Sequence, residues 1–191
     1  IVRQYAHDGA VYFNDEFELN AKWLFNGGLR LTMFQQVGPF DRFINDPITN
    51  LPTDTIHYDA GEDVKTYANV EPRFAVRYAV NESSSVKASY SQNYQYIHLA
   101  SLSGISLPTD TWVPSSDRVK PQFGTQYALG YFKNFKNNTY ETSLEVYYKT
   151  MENQIEYEEG FLPENQVNGN LDNFFVFGKG WSYGAELFLK K

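Results

Sequence analysis

Tyr67-Ala-Asn-Val-Glu-Pro-Arg-Phe-Ala-Val-Arg-Tyr-Ala-Val80 and, after Asn81-Glu-Ser-Ser-Ser85, Val86-Lys-Ala-Ser-Tyr-Ser-Gln-Asn-Tyr-Gln-Tyr96 decide the fold. From Val70 every second residue of the first arm is apolar: Pro72, Phe74, Val76, Tyr78 and Val80. Glu71, Arg73, Ala75, Arg77 and Ala79 fall between them. The return arm sets Val86, Ala88, Tyr90, Tyr94 and Tyr96 against Lys87, Ser89, Ser91, Asn93 and Gln95. A period of two held this long is the pattern of paired strands with one apolar and one wet face. Ordinary strands run about 5–6 residues, whereas roughly 9–11 tilted residues cross a bilayer in a barrel. The arms therefore have the length and pattern of an outer-membrane barrel wall.

The same alternation recurs outward from this hairpin. A first strand is expected over residues 10–19 and a second over Trp23–Phe34, with Trp23, Phe25, Leu29, Leu31 and Met33 on one face. Further strands are expected over Gln122–Lys133, Thr139–Met151 and Lys179–Lys190, and Ile155-Glu-Tyr157 is expected to extend the sixth strand beyond the membrane. The seven strands are joined alternately by short polar turns and by long Pro- and Gly-containing stretches, about 35–66, 97–121 and 152–178. An up-and-down meander with that alternation puts the long connections at one end, as transmembrane barrels do. A soluble antiparallel sandwich presenting aromatic loops to carbohydrate is the other reading of the pattern. No segment holds a 3.6-residue period, so no helix is expected.

Composition narrows the function. Among 191 residues there are 15 Tyr, 15 Phe and 3 Trp, more than a soluble core needs and in keeping with interfacial girdles. No run of 18 apolar residues exists, which excludes a transmembrane helix but not barrel strands. The net charge of −7 argues against a nucleic-acid partner. Cysteine is absent, and His7, His57 and His98 stand at no metal-ligand spacing. Neither a catalytic group, a metal site nor a cofactor is expected, and no hydrolase or nucleotide fingerprint occurs. His98 near Ser89 or Ser91 is the nearest approach to a nucleophile and base, out of register by several residues. Asn81-Glu-Ser83 and Asn137-Asn-Thr139 match the glycosylation sequon but read as turn residues.

Asn69-Val-Glu-Pro-Arg73, Lys120-Pro-Gln-Phe-Gly-Thr-Gln-Tyr-Ala-Leu-Gly-Tyr131, Tyr140-Glu-Thr-Ser-Leu-Glu-Val-Tyr-Tyr-Lys149 with Asn153-Gln-Ile155, and Gly180-Trp-Ser-Tyr-Gly-Ala-Glu-Leu187 occur in that order. In order and spacing they resemble the barrel of TonB-dependent outer-membrane receptors. The resemblance implies a 22-stranded transmembrane β-barrel plugged by an N-terminal domain. This chain would be about a third of the wall, a piece of a longer receptor lacking the plug and the TonB-contact segment. It further implies a bacterial outer-membrane location and the surrounding lipid, the plug, TonB and a scarce ligand (iron chelate, cobalamin, oligosaccharide or peptide) as partners.

Two groups of residues are candidates for the site. Tyr58, Trp112, Tyr157 and Phe161 are loop aromatics among acidic residues, able to stack on a ligand or to pack within the loops. Arg73, Arg77, Lys87, Glu141, Glu145 and Glu186 face the lumen in this register, toward a plug or water. Gly124, Gly130 and Gly184 share that face, where they either leave room for bends or a plug or are merely tolerated among polar residues, and Pro72 is expected to precede the regular part of its strand.

Overall fold

The computed structural model describes residues 3–46, 49, 52–101, 110–161 and 171–191. Seven long strands make one antiparallel sheet: β1 (Tyr5–Asn20), β2 (Trp23–Val37), β5 (Asp63–Asn81), β6 (Ser84–Gln95), β9 (Gln122–Phe135), β10 (Tyr140–Tyr157) and β11 (Phe175–Lys190), in that spatial order. Two short hairpins, β3 (Phe40–Asn45) with β4 (Pro52–Tyr58) and β7 (Ile97–Ala100) with β8 (Thr111–Pro114), occupy the long connections. A 3-10 turn, Leu171–Phe174, precedes β11. No described helix is long and apolar enough to cross a membrane, which says nothing about crossing by strands.

The pairing sorts the side chains as the alternation requires. Trp23, Phe25 and Leu29 lie opposite Tyr78, Val76 and Pro72, and Val86, Ala88 and Tyr90 opposite Tyr131, Leu129 and Tyr127. Leu144 and Val146 meet Leu187 and Ala185. This face stays open: Phe13, Met33, Phe74, Leu129, Leu144 and Leu187 are all exposed, and no second sheet among the described residues packs over them. A sandwich buries that face against a second layer, so the architecture is a partial barrel wall rather than a sandwich. Cross-strand aromatic contacts, such as Trp23 with Tyr78 at 4.6 Å between ring centroids, knit it.

Short turns close one end through local side-chain chemistry. Asn20 Oδ1 accepts from the Lys22 and Trp23 amides at 2.9 and 3.1 Å. Asn81 Oδ1 does the same for Ser83 at 3.0 Å, so the sequon asparagine holds its own turn. Between β9 and β10, Lys136, Asn137 and Asn138 all take left-handed backbone angles, which asparagine tolerates better than most residues.

Three expectations need correction at the other end. The long connections are not irregular throughout: β2 runs on to Val37, β5 starts at Asp63 and β11 at Phe175, with the two hairpins between. β10 reaches Tyr157 by way of a bulge at Asn153, whose φ is 55° and whose Nδ2 donates to the Pro121 carbonyl at 2.9 Å. Pro72 lies well inside β5 rather than at its start. The β5–β6 ladder ends at Arg73 and Ser91, beside a nitrogen that has no proton to give a ladder. Tyr96 is the third correction. Parity puts it with Tyr94 on the apolar face, yet the chain turns between β6 and β7 and carries it inward, where it is 6% exposed.

Candidate functional site

The wet face of the sheet carries a row of charge at one level. Across it the register runs Arg77 to Lys87, Lys87 to Gly130, Gly130 to Glu145 and Glu145 to Glu186. Two cations thus stand directly opposite each other on β5 and β6, and two carboxylates on β10 and β11. Like charges directly opposed destabilise a strand pair. Gly130 separates the two halves, and Glu145 leans over it: a Cβ there would come within 3.1 Å of Glu145 Cγ and 2.8 Å of the Phe132 ring. Glu141, nearer the short-turn end, is neutralised instead by Lys190 at 3.6 Å. Arg73 donates to Asn93 Oδ1 at 2.9 Å.

The glycines of this face do not all leave room. The Tyr147 ring lies over Gly184, where a Cβ would fall 2.7 Å from it, and Phe132 with Glu145 fills the space at Gly130. At Gly124 a Cβ would meet nothing closer than 3.7 Å, so of these three glycines it is the one whose missing side chain leaves open space.

Toward the long-loop end, Tyr96 stacks flat on Phe34 with ring centroids 5.1 Å apart. Its hydroxyl is 2.6 Å from Thr32 Oγ1 and accepts from Asn69 Nδ2 at 2.8 Å. Glu71, 4% exposed, accepts from the Tyr94 amide at 3.1 Å where β6 has left β5, and lies 3.9 Å from Arg30. Beyond these, the segment Ser115–Val119 ties the loops together. Asp117 pairs with Arg42 of β3, and the Ser116 carbonyl accepts from Tyr67 Oη of β5 at 2.6 Å. Ser116 Oγ donates to Asp172, and Arg118 donates to Asn173. Burial pushes the Asp172 carboxyl up in pKa, against the downward pull of the Ser116 hydroxyl. None of these residues stands out in the sequence, because no periodicity reports contacts between separate loops.

The aromatic candidates divide. Tyr157 stacks on Phe161 at 4.4 Å and touches Phe175 at 5.0 Å, while Phe161 meets Phe174 at 5.1 Å, so these two are engaged with one another. Nearby, Ala100, Val113, Val119 and Phe175 form the buried cluster that seats the β7–β8 hairpin. Tyr58 lies 6.4 Å from Phe40, and Trp112 remains 65% exposed. The structure does not bring the four into one surface.

The histidines also find partners that spacing did not suggest. His98 is fully buried and its Nε2 is 3.0 Å from Ser115 Oγ, not near Ser89 or Ser91. Among the described residues its Nδ1 meets no partner and no third group orients it as a base, and burial holds its pKa down at about 4. His57 is exposed between Asp41 and Asp59, and its bond to Asp41 raises its pKa above the usual value. Among the described residues no three acidic or imidazole groups gather as a metal site.

A seven-stranded open wall with a bare apolar face, a charged inner face and every long loop at one end defines part of a transmembrane barrel. The sequence matches the family described as TonB dependent receptor-like, beta-barrel, over residues 2–190, and the chain belongs to that family. Among solved structures it is similar to the alcaligin outer-membrane receptor FauA of Bordetella pertussis, with 13% identity and a TM-score of 0.57 over 96% of this chain and 27% of that one. The ferric-catecholate import receptor Fiu of E. coli K12, in its closed form, shows 15% identity and a TM-score of 0.57 over 96% and 25%. The FrpB iron transporter of Neisseria meningitidis shows 15% and 0.53 over 96% and 24%. The chain thus spans about a quarter of the length of these receptors. No curated protein matches it.

Proposed function

We propose that this chain is wall of an outer-membrane receptor that binds a scarce ligand at its long-loop end and admits it when TonB displaces a plug from the lumen. The charged row carries the reading. Arg77 with Lys87, and Glu145 with Glu186, are like pairs at one level of the inner face, and a protein body of opposite charge against each half would relieve both. A water-filled pore gives no such reason for segregated pairs. Family membership and the three solved structures of similar fold support the same reading. Within it the loops lie outside the cell, the short turns in the periplasm, and no side chain does covalent chemistry.

The test is made in the full-length receptor. Lysine at Val76 or Leu144 faces lipid and is expected to cost about 2–4 kcal/mol near mid-bilayer, abolishing the heat-stable barrel, while lysine at Ala75 or Ser143 is tolerated. Uptake of its ligand is expected to stop in cells lacking TonB. Equal tolerance at both pairs of positions, or uptake indifferent to TonB, refutes the proposal.

A further inference from the structure

On the inner face at the long-loop end, β6, β9 and β10 border an open hollow of about 310 Å³ floored by Gly124, within the range of small-ligand pockets. Four side chains that line it, Gln122, Gln126, Lys149 and Gln154, make no hydrogen bond to any described residue. Two more amides at its edge keep capacity to spare. Asn93 accepts from Arg73 but leaves its NH2 group, and Gln95 donates to the Ile97 carbonyl but leaves its oxygen. No carboxylate lines it, and Lys149 is its one charge.

We infer that this hollow is a binding subsite for a neutral or singly acidic saccharide. An amide offers donors and an acceptor side by side, the complement of vicinal hydroxyls, each of which both donates and accepts. A ferric tris-catecholate carries several negative charges and calls for several cations, where this hollow has one. The charged row lies six residues below Asn93 along β6, on the order of 20 Å away, so a plug seated on the row leaves the hollow to a ligand. The inference rests on the receptor reading and names the ligand class for its site.

Full-length receptor in nanodiscs is titrated calorimetrically with maltohexaose, xylohexaose and chitohexaose, and separately with a ferric tris-catecholate. At least one oligosaccharide is expected to bind. Gln126→Ala and Gln154→Ala should each weaken it about tenfold, the worth of one ligand hydrogen bond, and Gly124→Leu, which fills the floor, should abolish binding. Heat-modifiable migration of each variant shows that the barrel is intact, and the two glutamine variants serve if Gly124→Leu does not assemble. Binding of the catecholate with none of the three sugars, no sugar binding at all, or sugar binding indifferent to the glutamine variants overturns the saccharide assignment. TonB-dependent uptake of another ligand alongside such a result leaves the receptor reading standing, whereas failure to enter bilayers removes both.

Discussion

Replacing Tyr96 should release the β7–β8 hairpin from the wall without weakening the wall itself. Tyr96→Phe removes a hydroxyl that bridges Thr32 and Asn69 and leaves both partners short of a bond in a half-buried site. Thr32 keeps an alternative in the Asn69 carbonyl at 3.4 Å, which limits the loss. The cost is then about 1–2 kcal/mol. Tyr96→Ala also removes a ring stacked on the fully buried Phe34, and such truncations cost about 3–5 kcal/mol. Because the contact lies between the loops and the wall, the loss should appear as local opening. In the full-length receptor, amide hydrogen exchange of Ile97–Ala100 and Thr111–Pro114 should accelerate roughly tenfold for the phenylalanine variant and at least a hundredfold for the alanine variant. Amides of Arg77–Ala79 and Ser85–Lys87, near the short turn, should not change. Exchange in β7–β8 that ignores both variants, or that rises equally at the short turn, refutes the claim that Tyr96 anchors the loops.

Acidification should strike the same hairpin. The His98 pKa is held at about 4, below its ordinary 6.5, so the opened state binds a proton that the closed state does not. Stability is therefore lost as pH falls from 6.5 toward 4 and levels off below, by up to about 3 kcal/mol. Exchange protection of β7–β8, corrected for intrinsic rates, should fall over that window in the native receptor and stay level in His98→Phe; a fall that persists in the variant assigns the effect elsewhere. At the base of β3–β4, Gly38→Ala should cost more than about 2 kcal/mol locally, since its Cβ would lie 2.1 Å from the Asp59 carbonyl oxygen and 2.8 Å from that of Tyr58. Faster limited proteolysis of residues 38–62 reads this out, and cleavage at the native rate would show that the backbone can yield.

The alternation exposed the faces because the two sides of a barrel wall impose opposite demands on successive residues, as Phe74 and Val76 against Arg73 and Arg77 illustrate. It failed at Tyr96, where a change of chain direction reverses parity without changing residue type. It overlooked β3–β4 because six or seven residues carrying Asp41, Arg42, Asp54 and His57 have no apolar face to declare them. His98 with Ser115 and Ser116 with Asp172 were hidden for a different reason: each pair is joined only once separate loops have packed. The charged row was visible residue by residue, but its level was not, since register belongs to pairing and not to any single strand.

From Arg77 on β5 to Glu186 on β11 the row crosses four strand spacings, roughly 19 Å of wall. Within that arc the sign of the surface reverses once, at Gly130. A body matched to the row and turned about the barrel axis by such an arc would bring one of its halves against wall charges of its own sign. This stretch of wall therefore distinguishes one azimuth from the others, and what fits against it is keyed like a plug to a polarised socket.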